Sequence, residues 1–328
     1  MMRALVIGAG DMGRKHAAAY RALENVTLAG VADPDGQRAK VFVHNHAGAV
    51  QFSNSREAIN EIQPDIVSVC LPAFLHKEVS VAALEAGAYV LCEKPIALTL
   101  EDAEAMVAAA SRNEDRLGIV LQRRYAGAWA FAGKRIGDLG TPLIYHATDF
   151  RQVRPKLLMH SRGGNGGPVV DCAVHDFDRA LEWFGPAVSV QAVGTIFAEG
   201  KPEVATVADL AIDTSNILVQ FEAGHMASIQ YGWGMPTGFN DYVRNEIVGP
   251  LGMLRVFEDR VEHHKGGGLV ETRTGFSDDG HARQIAAFVE AIRSESPLPV
   301  SPNEARAASV LSHAALDAID TGNVVAVG

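Results

Sequence analysis

Asp171, His175 and Asp178 fall at i, i+4 and i+7 in the stretch GGPVVDCAVHDFDRALEWFG, residues 166–185. The run reads as one amphipathic helix, with Leu181, Trp183 and Phe184 as apolar bulk near its end. On a helix that spacing stacks three ionisable side chains on one face. An imidazole has an unperturbed pKa of about 6.5, so it can take up and release a proton near neutral pH. A carboxylate one turn earlier can orient the ring and stabilise its charged form. The same three groups could instead hold a divalent cation, or form a structural pair. A second candidate is Lys94, between Glu93 and Pro95 after the apolar run AYVLC. Its ammonium can donate to an oxygen that gains negative charge. A place between a strand end and a proline argues for a fixed position.

These side chains need a scaffold, and the N-terminal segment suggests which. RALVI, residues 3–7, is a β-rich run. GAGDMG follows and sets Gly8, Gly10 and Gly13 in a G-x-G-x-x-G pattern. RKHAAAYRAL reads as a helix, and VTLAGVAD as a second strand ending in Asp33. The glycines alone say little. Strand, glycine turn, helix, strand and an acid about 20 residues on together describe a dinucleotide-binding unit. Gly8 permits the tight turn, Gly10 lets the backbone approach a pyrophosphate, and Gly13 lets the helix pack on its strand. The helix N-terminus offers free N–H groups and a positive dipole end to phosphates. Asp33 can accept hydrogen bonds from both ribose hydroxyls and would repel a 2′-phosphate, which favours NAD over NADP. Its other reading is an ordinary helix N-cap in DPDGQRA. Arg38 can cover the adenine or be solvated.

Alternation continues with PDIVSVCLP, AFLHKEVSVAALEAG, AYVLCEKP, TLEDAEAMVAAASRN and RLGIVLQ, read as strand, helix, strand, helix, strand. This predicts a doubly wound parallel α/β sheet of about six strands over residues 1–121. Ligands in such sheets bind past the carboxyl ends of the strands. His76 and the Glu93-Lys94-Pro95 triplet fall there. Residues 122–328 read differently, as an α+β domain on a mostly antiparallel open sheet. TPLIYHATDFRQV, VSVQAVGTIF, SNILVQF and GHMASIQYGWG are strands, and FEAGH is a hairpin turn. Ala227, Ile229, Tyr231 and Trp233 alternate with Met226, Ser228 and Gln230, the period of a half-buried antiparallel strand. NEIVGPLGMLRVF adds strands, and helices return at HARQIAAFVEAIRS and NEARAASVLSHAALDAI. The open sheet face must be covered by helices or by another subunit. The pair His263 and His264 in EHHKGGG is read as an exposed turn, because adjacent strand side chains point to opposite faces and chelate poorly.

Bulk properties agree with a globular enzyme-sized chain. With 48% hydrophobic and 21% charged residues, the 328-residue chain can bury a substantial core. A net charge of −10 offers no footprint for nucleic acid or anionic lipid. Cys70, Cys92 and Cys172 each lie in apolar segments without zinc-type spacing, so they read as buried reduced thiols of a cytoplasmic protein. The apolar N-terminus leads straight into the glycine motif and reads as a strand rather than a signal peptide. No apolar run approaches the roughly 20 residues that span a bilayer.

Four segments, VIGAGDMGRKHAAAY, LPAFLH, CEKPIALTLEDAEAM and GGPVVDCAVHDFDRALEWFG, together resemble the glucose–fructose oxidoreductase/inositol dehydrogenase (Gfo/Idh/MocA) family. The resemblance covers nearly the whole chain. The HDFD form and RRY at residues 123–125 are similar to inositol dehydrogenases. Gln122 and Ala126, where those enzymes usually have Met and Asp, and the segment RQVRPKLLMH depart from them. The resemblance implies a Rossmann domain followed by an open-sheet domain, and NAD-dependent hydride transfer to or from a sugar or polyol carbon. It implies homodimers or homotetramers built through the second sheet, and a cis Lys94–Pro95 bond.

Carried over residue by residue, it implies a catalytic group of Lys94, Asp171 and His175. Candidate cofactor contacts are Gly8, Gly10, Asp11, Met12 and Gly13 in the turn, with Asp33, Arg38, Leu71, Pro72, His76, Glu93 and Lys94. His76 would lie near the nicotinamide end. Candidate substrate contacts are Lys94, Arg123, Tyr125, Arg151, Arg154, His160, Asp171 and His175. Arg124 joins the same set of cations, which suits an acidic sugar or reflects salt bridges alone. His175 and Lys94 both remain candidates for proton transfer, and Asp178 can bind a substrate hydroxyl or support His175. A metal-dependent lyase or hydrolase, using Asp171, His175 and Asp178, and a non-catalytic NAD sensor are the alternatives. No third cluster of metal ligands at a clear spacing appears.

Overall fold

The computed structural model describes residues 1–277 and 279–327, which pack as two compact units. The first contains Met1–Gln122 and Asp279–Arg306, the second Arg123–Asp278 and Ala307–Gly328.

In the first unit β1 (Met2–Ile7), α1 (Asp11–Arg21), β2 (Val26–Ala32), α2 (Gly36–Asn45), β3 (Val50–Phe52) and α3 (Ser55–Ile62) form one half. β4 (Ile66–Val69), α4 (His76–Glu85), β5 (Tyr89–Cys92), α5 (Leu100–Arg112) and β6 (Leu117–Ile119) form the other. The strands make one parallel sheet in the order β3-β2-β1-β4-β5-β6. All four residues of β4 are buried, the signature of a strand covered on both faces. The order reverses between β1 and β4, so the turns after these strands and β5 share the carboxyl edge where ligands bind. Asn54 caps α3 and Thr99 caps α5 through side-chain oxygens. β3 leaves no mark in the sequence: its three half-exposed or exposed residues carry no periodicity.

The second unit contains α6 (Gly127–Arg135), β7 (Ile144–Gln152), α7 (Leu157–His160), α8 (Gly167–Asp171), α9 (Val174–Phe184), β8 (Ala187–Thr195), β9 (Thr214–Phe221) and β10 (Met226–Met235). β11 (Tyr242–Gly249), β12 (Gly252–Val256), β13 (Arg260–Lys265), β14 (Gly268–Thr274) and β15 (Val325–Ala326) complete its sheet, ordered β14-β13-β12-β11-β7-β10-β9-β8-β15. Its pairs are antiparallel except β7 with β10, so β10 is antiparallel on one side only. The expected alternation holds, with Ala227, Ile229, Tyr231 and Trp233 buried. They pack with Trp129 of α6 and Phe177 of α9 over one sheet face.

α10 (Gly280–Arg293) and the start of α11 (Pro302–Thr321) join the first unit, unlike the single boundary after residue 121. The reason is packing. Ile285, Phe288 and Val289 belong to the core of Ala4, Val6 and Leu91, and Gln284 donates to the Ile119 carbonyl at 2.8 Å. His263 and His264 lie on β13 rather than in an exposed turn, with His263 buried. Cys92 is buried, but Cys70 and Cys172 are half-buried, so the expectation of three buried thiols fails for two.

Candidate functional site

In the first unit the glycine turn connects β1 to α1. Gly8 has φ +99°, and a Cβ there would stand 2.3 Å from the Cys70 carbonyl oxygen. A Cβ on Gly13 would stand 1.9 Å from the Gly8 carbonyl oxygen. Both glycines are therefore demanded by packing. Gly10 differs, because a Cβ there would meet nothing within 4 Å. It is also the N-cap of α1, and no side chain caps that helix. The first N–H groups of α1 thus open onto a cradle that suits a pyrophosphate. Asp11 is exposed and pairs with Arg14 at 2.5 Å, and Met12 is half-buried.

Asp33 is buried at the end of β2, accepting from the Ala9 N–H at 2.8 Å and the Asp35 N–H at 2.9 Å. It is not the helix cap, since Asp35 receives the N–H groups of Gln37 and Arg38. Arg38 stands 3.6 Å from Asp33 and 3.5 Å from Asp35, which gives it a local role beside any adenine contact. Leu71 and Pro72 lie half-buried after β4.

Lys94 follows β5, half-buried, at the carboxyl edge that carries the glycine turn, and its bond to Pro95 is cis. Glu93, directly before it, is buried. Its Oε1 lies 3.1 Å from His16 Nε2 and 3.8 Å from His281, and its Oε2 accepts the Lys94 N–H at 3.3 Å. Burial opposes the Glu93 charge, but the His16 hydrogen bond and the cationic surroundings bring its pKa down to about 2. His76 is fully buried, its ring nitrogens 2.9 Å from the Pro95 carbonyl and 2.8 Å from that of Leu71. It ties the segment after β4 to that after β5, and burial pushes its pKa down. Both ring nitrogens are thus engaged with backbone carbonyls of the carboxyl-edge segments, where the contact near the nicotinamide end is expected.

In the second unit the expected single helix is two. Cys172 and Ala173 both donate to the Pro168 carbonyl, at 3.0 and 2.8 Å, and the register restarts at Ala173. Asp171 ends α8, and His175 stands in the first turn of α9; both are buried. Their spacing is thus not a simple helical i, i+4. Asp178 is buried against Arg124, whose Nε donates at 2.9 Å and Nη2 at 2.5 Å, so it neutralises a cation rather than completing a stripe.

The other candidates are similarly matched. Arg123 donates to Asp176 at 2.8 Å. Burial opposes the Arg123 charge, yet Asp176 holds its pKa well above the usual range. Arg151 forms a two-pronged pair with Asp149 and reaches Asp241 at 3.3 Å. Arg154 lies 3.9 Å from Asp241 and 5.7 Å over the Trp233 ring. His160 is buried, bonds the Arg154 carbonyl at 3.1 Å, and has its pKa lowered by burial. Tyr125 is half-buried. Among the described residues no group of three or more His, Cys, Asp or Glu converges on a metal position.

Sequence reasoning missed Asp176. Buried beside His175, it also accepts from Tyr145 at 2.7 Å and from Tyr231. A signal existed: Tyr145 and Tyr231 sit at core positions of alternating strands, and buried phenols need acceptors.

The chain is similar to known proteins over most of its length. A family model described as an oxidoreductase family with an NAD-binding Rossmann fold matches residues 2–120, and the GFO/IDH/MocA C-terminal domain matches residues 135–255. Myo-inositol 2-dehydrogenase of Thermotoga maritima is 24% identical, covering 97% of this chain and 96% of its own. D-glucoside 3-dehydrogenase of Escherichia coli is 25% identical, covering 99% and 97%. The solved structure of levoglucosan dehydrogenase in complex with NADH superposes with a TM-score of 0.87 at 21% identity, covering 100% and 99%. Among the described residues no helix is long and apolar enough to cross a membrane.

Proposed function

Because the chain belongs to the GFO/IDH/MocA oxidoreductase family, we propose that it is an NAD-dependent dehydrogenase acting on a secondary alcohol of a neutral sugar or polyol. The observation that carries this reading is the carboxyl edge of the parallel sheet, where the Gly8–Gly13 turn, buried Asp33 and Lys94 stand together. The open cradle at Gly10, the uncapped N-terminus of α1 and the Asp33 carboxylate fit a dinucleotide without a 2′-phosphate. When bound, nicotinamide supplies the position that accepts or releases hydride.

The chain's own groups handle the proton. His175 takes the hydroxyl proton, with Asp171 orienting the ring. Lys94 donates to the reacting oxygen and stabilises negative charge on it. The three are proposed to act as one catalytic unit. The charge state of the substrate follows from the arginines. Arg123, Arg124 and Arg151 are each matched by a carboxylate, Arg154 shares Asp241, and burial favours neutral His160. That balance supports a neutral substrate over a sugar acid. Inositol and glucoside relatives point the same way. The test is a panel of inositols, aldoses, glucosides, anhydrosugars and uronic acids with NAD, read by absorbance of the reduced cofactor. Turnover confined to uronic acids overturns the charge argument, and none with any member overturns the dehydrogenase reading.

The sheet face opposite the helices carries exposed Val193 and Leu218 beside His146, Thr148 and Gln230. We propose it as the contact between copies in a homodimer or homotetramer. Light scattering on the protein and on Leu218→Lys tests this; a monomeric wild type sinks it.

A further inference from the structure

Glu93 lies buried directly before Lys94, and a chain of hydrogen bonds holds it. Tyr20 OH stands 2.7 Å from Ser68 Oγ, Ser68 Oγ stands 2.9 Å from His16 Nδ1, and His16 Nε2 stands 3.1 Å from Glu93 Oε1. Tyr20, Ser68 and His16 are fully buried. A carboxylate can only accept, so His16 carries its proton on Nε2. Ser68 Oγ bridges the other ring nitrogen of His16 to the Tyr20 hydroxyl, so every member of the chain has a partner. Tyr20 and His16 belong to α1, the helix that starts at the glycine turn; Ser68 belongs to β4; and Glu93 directly follows β5. The chain thus links the helix that opens on the cofactor cradle to the strand that presents Lys94.

We propose that His16 and Glu93 are positioning residues for Lys94: the chain fixes a buried carboxylate directly before the lysine, and its charge keeps the Lys94 ammonium charged. The proposal rests on the reading of Lys94 as a catalytic residue, but the effect on Lys94 exists without catalysis. Isolated buried carboxylates are costly unless paired and hydrogen-bonded. Here His16 supplies the donor, His281 of α10 stands 3.8 Å away, and the Lys94 N–H caps the second oxygen. The other titratable groups that feel this carboxylate are Cys70, Cys92 and His76, for which burial favours the neutral form. His16, His281 and Lys94 are the groups whose positive charge favours the Glu93 carboxylate, and Lys94 is the one among them that follows it directly in the chain.

The test measures Lys94 itself in NAD-free protein. Its acetylation by limiting acetic anhydride is followed against pH by peptide mass spectrometry, with exposed Lys15 and Lys40 as internal references. Glu93→Gln removes the charge and should lower the apparent pKa of Lys94. Its labelling rate at pH 7 should then rise roughly 10-fold or more, since one pKa unit is a factor of ten. His16→Met, which offers no donor, should move Lys94 the same way and lower kcat with little change in KM for NAD. His16→Gln can place an amide donor near the Nε2 position and should restore most of both. Lys94 reactivity within twofold of wild type in folded Glu93→Gln overturns the proposal. Should that variant not fold, equal Lys94 reactivity in His16→Met and His16→Gln overturns it instead. Failure of the catalytic reading shows separately, as normal turnover in Lys94→Ala.

Discussion

The Asp33 carboxylate accepts the backbone N–H of Ala9 at 2.8 Å, so the acid that ends β2 also braces the glycine turn after β1. A buried carboxylate here disfavours a cofactor carrying a further phosphate by like-charge repulsion. NAD should be preferred over NADP by roughly 5- to 150-fold in kcat/KM, about 1–3 kcal/mol. Asp33→Ser should narrow the gap mainly by weakening NAD. Equal kcat/KM for both cofactors in the unmodified protein contradicts the argument.

Gly10 and Gly13 should separate by what they protect. Gly13→Ala drives a Cβ into the Gly8 carbonyl and should destabilise the protein itself, by roughly 1–3 kcal/mol as for other overpacked sites. Gly10→Ala meets open space and should keep the stability of the NAD-free protein while weakening NAD binding. Urea unfolding and NAD titration of each variant provide the comparison. Identical behaviour of the two variants refutes this distinction.

His175→Asn should lower kcat by about 10²- to 10⁴-fold, the usual contribution of general acid–base catalysis. Lys94→Ala should be comparably harmful, and the double variant should lose less than the product of the two. NAD affinity of His175→Asn should stay near wild type. Near-normal turnover of that variant from pH 6 to 9 with a verified substrate would make the imidazole structural.

Asp176→Ala should cost roughly 3–5 kcal/mol, the range for breaking a buried ion pair. It strands the Arg123 guanidinium and the hydroxyls of Tyr145 and Tyr231 together. Burial already pushes both phenol pKa values up, so ionising them is no escape. A loss under about 1 kcal/mol in urea unfolding would show that these donors find other acceptors.

Stability should fall in acid through Glu93. Its folded pKa of about 2 lies below the ordinary value near 4.3, a difference worth on the order of 3 kcal/mol. The contribution is complete above about pH 4.3 and is lost as pH falls towards 2. Glu93→Gln should flatten the unfolding free energy over that window. A wild-type slope unchanged by the substitution removes Glu93 from the acid response.

Periodicity and local chemistry by themselves determined much of this protein. Alternating strands and helices, the G-x-G-x-x-G spacing of Gly8, Gly10 and Gly13, and Asp33 at a strand end pointed to the parallel sheet and its turn, because each is a pattern carried by segments adjacent in sequence. The period of 2 through Ala227, Ile229, Tyr231 and Trp233 exposed the second sheet in the same way. What spacing could not reveal was the choice of partner. Asp171 and His175 have the spacing of one helical stripe, but both Cys172 and Ala173 turn to the Pro168 carbonyl and split the helix. Asp178 and Asp176 meet Arg124 and Arg123, more than fifty residues earlier. His16 finds Glu93 across 77 residues, and α10 joins the first core from near the end of the chain. A charged side chain reads the same in sequence whether solvated, catalytic or paired. Desolvation on burial makes a partner obligatory, and only the tertiary fold decides which one is in reach.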